Sequence, residues 1–209
     1  MKIAQFTVLL VCILACSCQT NQPVSPARRD LESAAVCCPG YEKFDFQPLK
    51  LGDNESFTIN TASPAFNFAS GKSYFKAFRL PIQARSYFIV VNSYFTDKDN
   101  LSRSPYIFHP VVALLDAQYR VTRTIDQGIV NPVESGNSMN NASLEIEIRI
   151  NPQVVDERFV VIYTTPALLN QVTNLLVSKN AMVGWIVTSF EIQNAPIGRL
   201  QAQLTSWRE

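Results

Sequence analysis

A mainly β fold, one antiparallel β-sandwich domain carrying a single late amphipathic helix, is predicted for this chain by three observations. Short runs rich in Val, Ile and aromatic residues recur along it, separated by Gly, Pro, Asn and Asp turn chemistry. Thirteen Phe and seven Tyr lie mainly in those runs, where a pleated and half-buried surface suits them. Only Pro166–Lys179 carries an apolar stripe at three- and four-residue spacing, whereas a parallel α/β sheet would need a helix after nearly every strand. The apolar fraction of 47% is that of an ordinary globular domain.

The elements follow in chain order. Phe44, Phe46 and Leu49 form a short apolar stretch broken by Pro48, which predicts an edge strand because proline cannot donate to a sheet ladder. Phe57 and Ile59 follow the turn-forming Gly52-Asp53-Asn54, and Ser73 to Leu80 alternates partly before Pro81. Ser86–Phe95 (SYFIVVNSYF) is apolar almost throughout, predicting a strand buried on both faces, and Ile107–Leu115 reads the same way. Asp116-Ala117-Gln118 should turn the latter back into Tyr119-Val121. Leu144–Ile150 (LEIEIRI) alternates strictly, with Leu144, Ile146, Ile148 and Ile150 on one face and Glu145, Glu147 and Arg149 on the other.

Phe159–Tyr163 is a further core strand. The helix then starts at a Thr165 cap with Pro166 at its first position. Leu168, Leu169, Val172, Leu175 and Leu176 form its stripe, and Lys179-Asn180 suits its C-terminal end. Trp185–Phe190 and Leu200–Leu204 resume β character, so the sandwich should extend from about Tyr41 to Trp207.

The N-terminus carries an address. Met1-Lys2 is a basic start, Ile3–Ala15 is a mostly apolar run, and Ile13-Leu14-Ala15-Cys16 closes it, the pattern of a secretory signal too short to span a membrane. A cysteine directly after Ala15 resembles the lipobox of bacterial lipoproteins, in which that thiol is acylated and becomes the first residue. Residues 1–15 are therefore predicted to be a lipoprotein signal peptide, and 16–36 the lipidated Cys16 with a flexible tether. Residues 37–209 then form the domain. The seventeen residues Gln19–Ala35 would hold the domain about 20–25 Å from its lipid. Ser17 after the cysteine points to the outer membrane, with the domain facing the periplasm. Past residue 15 the chain has 17 basic and 17 acidic side chains, a balance that removes the electrostatic footprint of nucleic-acid binding.

Candidate chemistry is sparse. His109 is the one histidine, too few for a His-rich metal site, and no Gly-x-Ser-x-Gly elbow accompanies it. Glu145 and Glu147 stand two apart on one strand face, about 6–7 Å from each other, within the range of glycosidase carboxylates. Strand alternation already accounts for them as a solvated face. Asp97-Lys98-Asp99-Asn100 lacks the glycine and distal glutamate of a calcium-binding loop and reads as a polar connection. Cys37 and Cys38 are candidates for a disulfide in an oxidising compartment, with Cys18 as an alternative partner and two buried thiols as the bland reading. Trp185, Trp207, Tyr94, Phe95 and Tyr106 could stack against sugars, though most aromatics of such a fold are core.

The segments Ser63-Pro64-Ala65-Phe66-Asn67-Phe68 and Gly71–Pro81 (GKSYFKAFRLP), with Pro110–Asp116 (PVVALLD) and Phe159–Thr165 (FVVIYTT), carry a resemblance. Over Cys37 to the C-terminus the chain resembles the maltose operon periplasmic protein (MalM) family. The resemblance implies a periplasmic setting and an association with maltose and maltodextrin uptake. It brings no catalytic residues.

The expectation is thus a non-enzymatic lipoprotein accessory to carbohydrate transport or binding, with no catalytic residue, metal or cofactor assigned and its ligand-binding residues unidentified. Its partners would be the membrane, through the N-terminal lipid, and either an oligosaccharide or an envelope protein. A structural or protein-interaction module of the outer membrane is the competing expectation.

Overall fold

The computed structural model of the chain describes residues 26–96, 105–131, 133–134, 142–181 and 184–206, without side chains at 133–134, 177–181 and 184–187. Helix α1 (Pro26–Ser33) opens it, within a segment whose sequence reads as flexible tether. One leucine in a polar helix leaves no periodicity to read, so docking rather than local pattern holds it. Leu31 is buried in the central core, and the Lys72 ammonium donates to the carbonyls of Glu32 and Ala34 at the C-terminal end, where a cation complements the helix dipole.

Past a 3-10 turn at Tyr41–Lys43 come β1 (Gln47–Pro48), β2 (Asn54–Ile59), β3 (Ala65–Phe68), β4 (Gly71–Tyr74) and β5 (Lys76–Arg79). Then follow β6 (Tyr87–Tyr94), β7 (Tyr106–Ile107), β8 (Val111–Asp116), β9 (Val121–Ile125), β10 (Ile129–Asn131) and β11 (Val133–Glu134). The chain continues through β12 (Ser143–Ile150), β13 (Glu157–Tyr163), α2 (Pro166–Leu169), β14 (Val172–Ala181), β15 (Gly184–Asn194) and β16 (Gly198–Ser206).

Two five-stranded sheets form the sandwich, one ordered β1-β5-β13-β8-β9 and the other β10-β12-β6-β16-β2. A four-stranded sheet β11-β14-β15-β7 and the β3-β4 hairpin complete the fold. Pairing is antiparallel except in the short pairs β1-β5, β11-β14 and β15-β7. As Pro48 predicts, β1 is an edge strand. The β8-β9 hairpin turns where expected, with the Asp116 carboxylate accepting from the amides of Gln118 and Arg120 and Tyr119 at φ 61.

Between the two main sheets lies one apolar core. Phe78, Leu114, Val160 and Ile162 from the first meet Ile89, Val91, Ile148 and Leu204 from the second. The first sheet is also covered on its other side, where Ala77, Ala113, Val161 and Tyr163 pack against Phe44, Phe46, Phe66, Phe68 and Phe75. This aromatic layer explains why β8 is buried on both faces as predicted. Phe44 stacks on Phe75 with ring centres 4.1 Å apart and Phe68 on Tyr163 at 3.9 Å. A third cluster, with Phe95, Leu144, Leu175 and Ile192, joins the four-stranded sheet to one end of the second sheet.

Two local predictions are corrected. The late helix does not run from Pro166 to Lys179. Its cap forms, with Leu168 N donating to Thr165 Oγ1 at 3.2 Å, but the helix ends at Leu169. From Val172 the chain is a strand paired in continuous register with β15. Thr173 and Leu175 are buried at 5% and 0% exposure whereas Val172 and Leu176 are 36% and 42% exposed, so the period is two. The stripe misleads because residues 172, 175 and 176 satisfy a helical spacing while the side-chain alternation goes unread. Strand β6 is likewise not buried on both faces. Tyr87, Ile89, Val91 and Ser93 point inward, and Phe88, Val90, Asn92 and Tyr94 lie half-buried on the outside of the second sheet.

Candidate functional site

The outward face of the second sheet collects side chains that are far apart in sequence. Antiparallel register sets Ser143, Tyr94, Arg199 and Thr58 in one row across it. Glu145, Asn92, Gln201 and Ser56 form the next row, then Glu147, Val90, Gln203 and Asn54, and finally Arg149, Phe88 and Thr205. Opposite residues on neighbouring strands stand about 5 Å apart, and successive rows about 6–7 Å. The face is therefore a grid of amides, hydroxyls and carboxylates around a few half-buried rings.

Hydrogen bonds hold that grid in place. The Tyr94 hydroxyl donates to Gln201 Oε1 at 2.9 Å, and Gln201 Nε2 donates to Ser56 Oγ at 3.3 Å. Ser143 Oγ donates to Asn92 Oδ1 at 3.3 Å, and Asn131 Nδ2 donates to both Ser143 Oγ and Glu145 Oε2 at 3.4 Å. The Arg199 guanidinium lies 5.8 Å from the centre of the Tyr94 ring. Each amide keeps donor or acceptor capacity beyond these bonds, and the Tyr94 ring offers an apolar surface beside them. Such an arrangement can take a hydroxyl-rich ligand with little reordering.

At one end of this face, where β6 and β12 meet the turns, Arg149 also borders an open cleft of about 840 Å³ lined by Leu51, Gln83, Ala84, Arg85, Ser86, Tyr87, Arg149 and Ser206. A smaller cleft of about 150 Å³ adjoins it, sharing Gln83 and Tyr87 and adding Ile82, Asp156 and Arg158. Tyr87 is 2% exposed, and its hydroxyl finds no hydrogen-bond partner among the described residues. Burial, helped by the Glu157 carboxylate and opposed by Arg158, pushes that phenol up to about 12.

His109 sits in the connection between β7 and β8 and closes a polar clasp. Asn194 Nδ2 donates to Leu168 O at 2.9 Å, which turns its Oδ1 toward Thr173, whose hydroxyl donates to it at 2.7 Å. Thr173 Oγ1 is then left to accept from His109 Nδ1 at 3.1 Å, while Nε2 lies 3.4 Å from Asp126 O. Burial lowers the imidazole below 6.5, against the raising influence of the Asp126 carbonyl and carboxylate. The clasp ties β14 and β15 to the β7-β8 connection. Glu157 is a second buried polar anchor: Arg123 Nε and Nη2 donate to its carboxylate at 2.8 and 2.9 Å, and Thr122 Oγ1 donates at 2.9 Å.

The structure joins the adjacent Cys37 and Cys38 in a disulfide beside the aromatic layer, and Cys37 N donates to Ala65 O at 2.8 Å. Glu145 and Glu147 do lie on an outward face, half-buried and exposed. The five aromatics proposed for stacking are not one platform. Tyr94 faces outward, Phe95 is in the core at 1% exposure, and Tyr106 belongs to β7 in another sheet. The Trp185 side chain, Trp207, Asp97–Asn100, Cys16 and Cys18 lie outside the described residues. Among the described residues, no three His, Cys, Asp or Glu side chains group to hold a metal ion. Sequence reasoning missed Asn92, Gln201, Gln203 and Ser56, because only the pairing of β6, β16 and β2 puts them on one surface.

No curated protein and no solved structure matches the chain. A family model described as maltose operon periplasmic protein precursor (MalM) matches residues 70–184. The match takes in Gly71–Pro81, Pro110–Asp116 and Phe159–Thr165, together with β6 and β12 of the outward face, and ends before β16. It spans more than half of the chain, which therefore belongs to the maltose operon periplasmic protein family.

Proposed function

We propose that this chain is a non-enzymatic accessory protein that binds oligosaccharides of the maltodextrin class in the periplasm, through the outward face of its second sheet. The observation carrying this reading is the hydrogen-bonded grid of Tyr94, Gln201, Ser56, Asn92 and Ser143 on a rigid antiparallel sheet. Sugars present apolar ring faces and rows of hydroxyls. A half-buried ring flanked by amides and hydroxyls meets both. A shallow face of this kind supports micromolar to millimolar affinity, about 4–8 kcal/mol. Family membership supplies the periplasmic setting and the maltose association.

In this reading Cys16 is acylated and anchors the protein to the outer membrane. Cys16→Ser should move the protein from the membrane fraction to the soluble fraction, and continued membrane attachment would remove the anchor from the account. Calorimetric titration with maltose through maltoheptaose tests the ligand. Affinity should rise with chain length and drop at least about fivefold in Gln201→Ala, whereas heat equal to dilution at every length would reject the reading.

One observation favours a second reading, a protein-interaction module of the envelope. The loops beyond β5 and β12 carry Ile82 and Val154 at 80% and 75% exposure, with Val155 nearby at 40%. Gln153 Nε2 donates to Ala84 O at 3.4 Å and links the two loops. A protein partner crosslinked at these tips, with no saccharide response, would replace the first reading with this one.

A further inference from the structure

We infer that the Cys37–Cys38 disulfide is a thiol–disulfide exchange site, which accepts electrons from a protein dithiol while the fold around it stays intact. The inference is independent of the saccharide face.

A disulfide stabilises a fold chiefly by closing a loop in the unfolded chain, and the gain shrinks with the number of residues enclosed. Cys37 and Cys38 are adjacent, so their bond closes the shortest loop a chain allows and ties no distant segments together. Other contacts hold this stretch. Cys37 N donates to Ala65 O at 2.8 Å, and Val36 forms a parallel bridge with the same residue. Lys43 N and Phe44 N close the turn that follows, donating to Gly40 O and Tyr41 O at 3.2 and 3.0 Å. Structural support is therefore a poor account of the bond.

The surroundings of the two cysteines differ. Cys37 is exposed, whereas Cys38 is half-buried against the aromatic layer. Exposed disulfides are the labile ones, and access decides which sulfur a thiolate reaches. Attack therefore falls on Cys37. Cys38 then departs as the leaving thiol, and its Sγ already lies 3.7 Å from Lys43 O, a carbonyl to which an S–H can donate without backbone movement. The same backbone thus suits the oxidised and the reduced pair.

One thiolate of the dithiol attacks Cys37 Sγ, the sulfur–sulfur bond breaks, and its electron pair leaves on Cys38 Sγ, which takes up a proton. The second thiolate attacks its own partner sulfur in the mixed disulfide, and Cys37 leaves and is protonated. The dithiol becomes a disulfide, and the cysteine pair gains two electrons and two protons. Cys-x-x-Cys oxidoreductases carry a dithiol of this class.

The test uses full-length protein purified without reductant. Thioredoxin with its second active-site cysteine replaced by serine should form a mixed disulfide, mapped by peptide mass spectrometry to Cys37 at least about tenfold more often than to Cys38. Dithiothreitol should reduce the native pair within about tenfold of the rate in urea, because no unfolding is needed to reach it. The near-ultraviolet circular dichroism should survive that reduction. In Cys37→Ser, alkylation of Cys38 should be at least about tenfold slower than alkylation of Cys37 in Cys38→Ser. A bond that resists dithiothreitol until urea unfolds the chain, or whose reduction abolishes the native spectrum, is a structural crosslink and overturns the inference. A mixed disulfide formed chiefly on Cys38, a bond from either residue to Cys18, or two free thiols in the unreduced protein would overturn it as well.

Discussion

His109, Asp126, Thr173 and Asn194 show how a few polar groups can be legible as residues and illegible as a structure. The amide of Asn194 is oriented by Leu168 O, so proton donation runs from His109 Nδ1 through Thr173 to Asn194. The neutral imidazole meets this demand with one proton, and burial keeps the folded value below 6.5. Between that folded value and 6.5 the unfolded chain binds the proton more readily. The stabilisation from His109 is therefore complete above about pH 6.5 and is lost as pH falls through the folded value. Urea midpoints measured from pH 7.5 down to pH 5 should decline, and His109→Gln should flatten the decline. An identical slope in the variant would mean that other groups carry it. Arg123→Ala should be more damaging at every pH in that range, by about 3–5 kcal/mol, because it strands the Glu157 carboxylate at 5% exposure. The sequence marks His109 as a lone histidine, but nothing in it brings Thr173 or Asn194 alongside.

Elements divide by how much of their shape is local. Strand β12 was legible because strict alternation in LEIEIRI can only be a strand with one wet face. The edge position of β1 followed from Pro48. Strand β14 was not legible, since Leu168, Leu169, Val172, Leu175 and Leu176 satisfy a helical stripe and only pairing with β15 decides otherwise. Helix α1 was missed for the opposite reason, holding one buried leucine and no pattern. The strand assignment makes a distinction that the helix cannot. Leu175→Asp, at 0% exposure, should cost several kcal/mol, whereas Leu176→Lys, at 42%, should change stability by less than about 0.5 kcal/mol in urea denaturation. Comparable losses from both would restore the buried helical stripe. Gly71→Ala should also destabilise, because φ is +120° there and a new Cβ would stand 2.5 Å from Pro166 Cγ.

At the scale of the molecule, α1 docks on β4 and α2 while the cleft bordered by Arg149 opens where β12 and β16 end. Ile59, which pairs with Gly198 at the other end of the second sheet, shares the core with Leu31. Cys37 and Cys38 stand between α1 and the aromatic layer. In protein taken from the envelope, alkylation of the denatured, unreduced chain should leave both unlabelled, and labelling of both would make them packing residues. The outward face itself could not be read from the chain, since Asn92 and Gln201 become neighbours only through the register of β6 with β16. Isotope-labelled protein titrated with maltoheptaose tests the account most directly. Progressive amide shifts confined to β6, β12, β16 and β2, with the Gln201 and Asn92 side-chain amides among the largest, are the predicted result; an unchanged spectrum at millimolar maltoheptaose would contradict it.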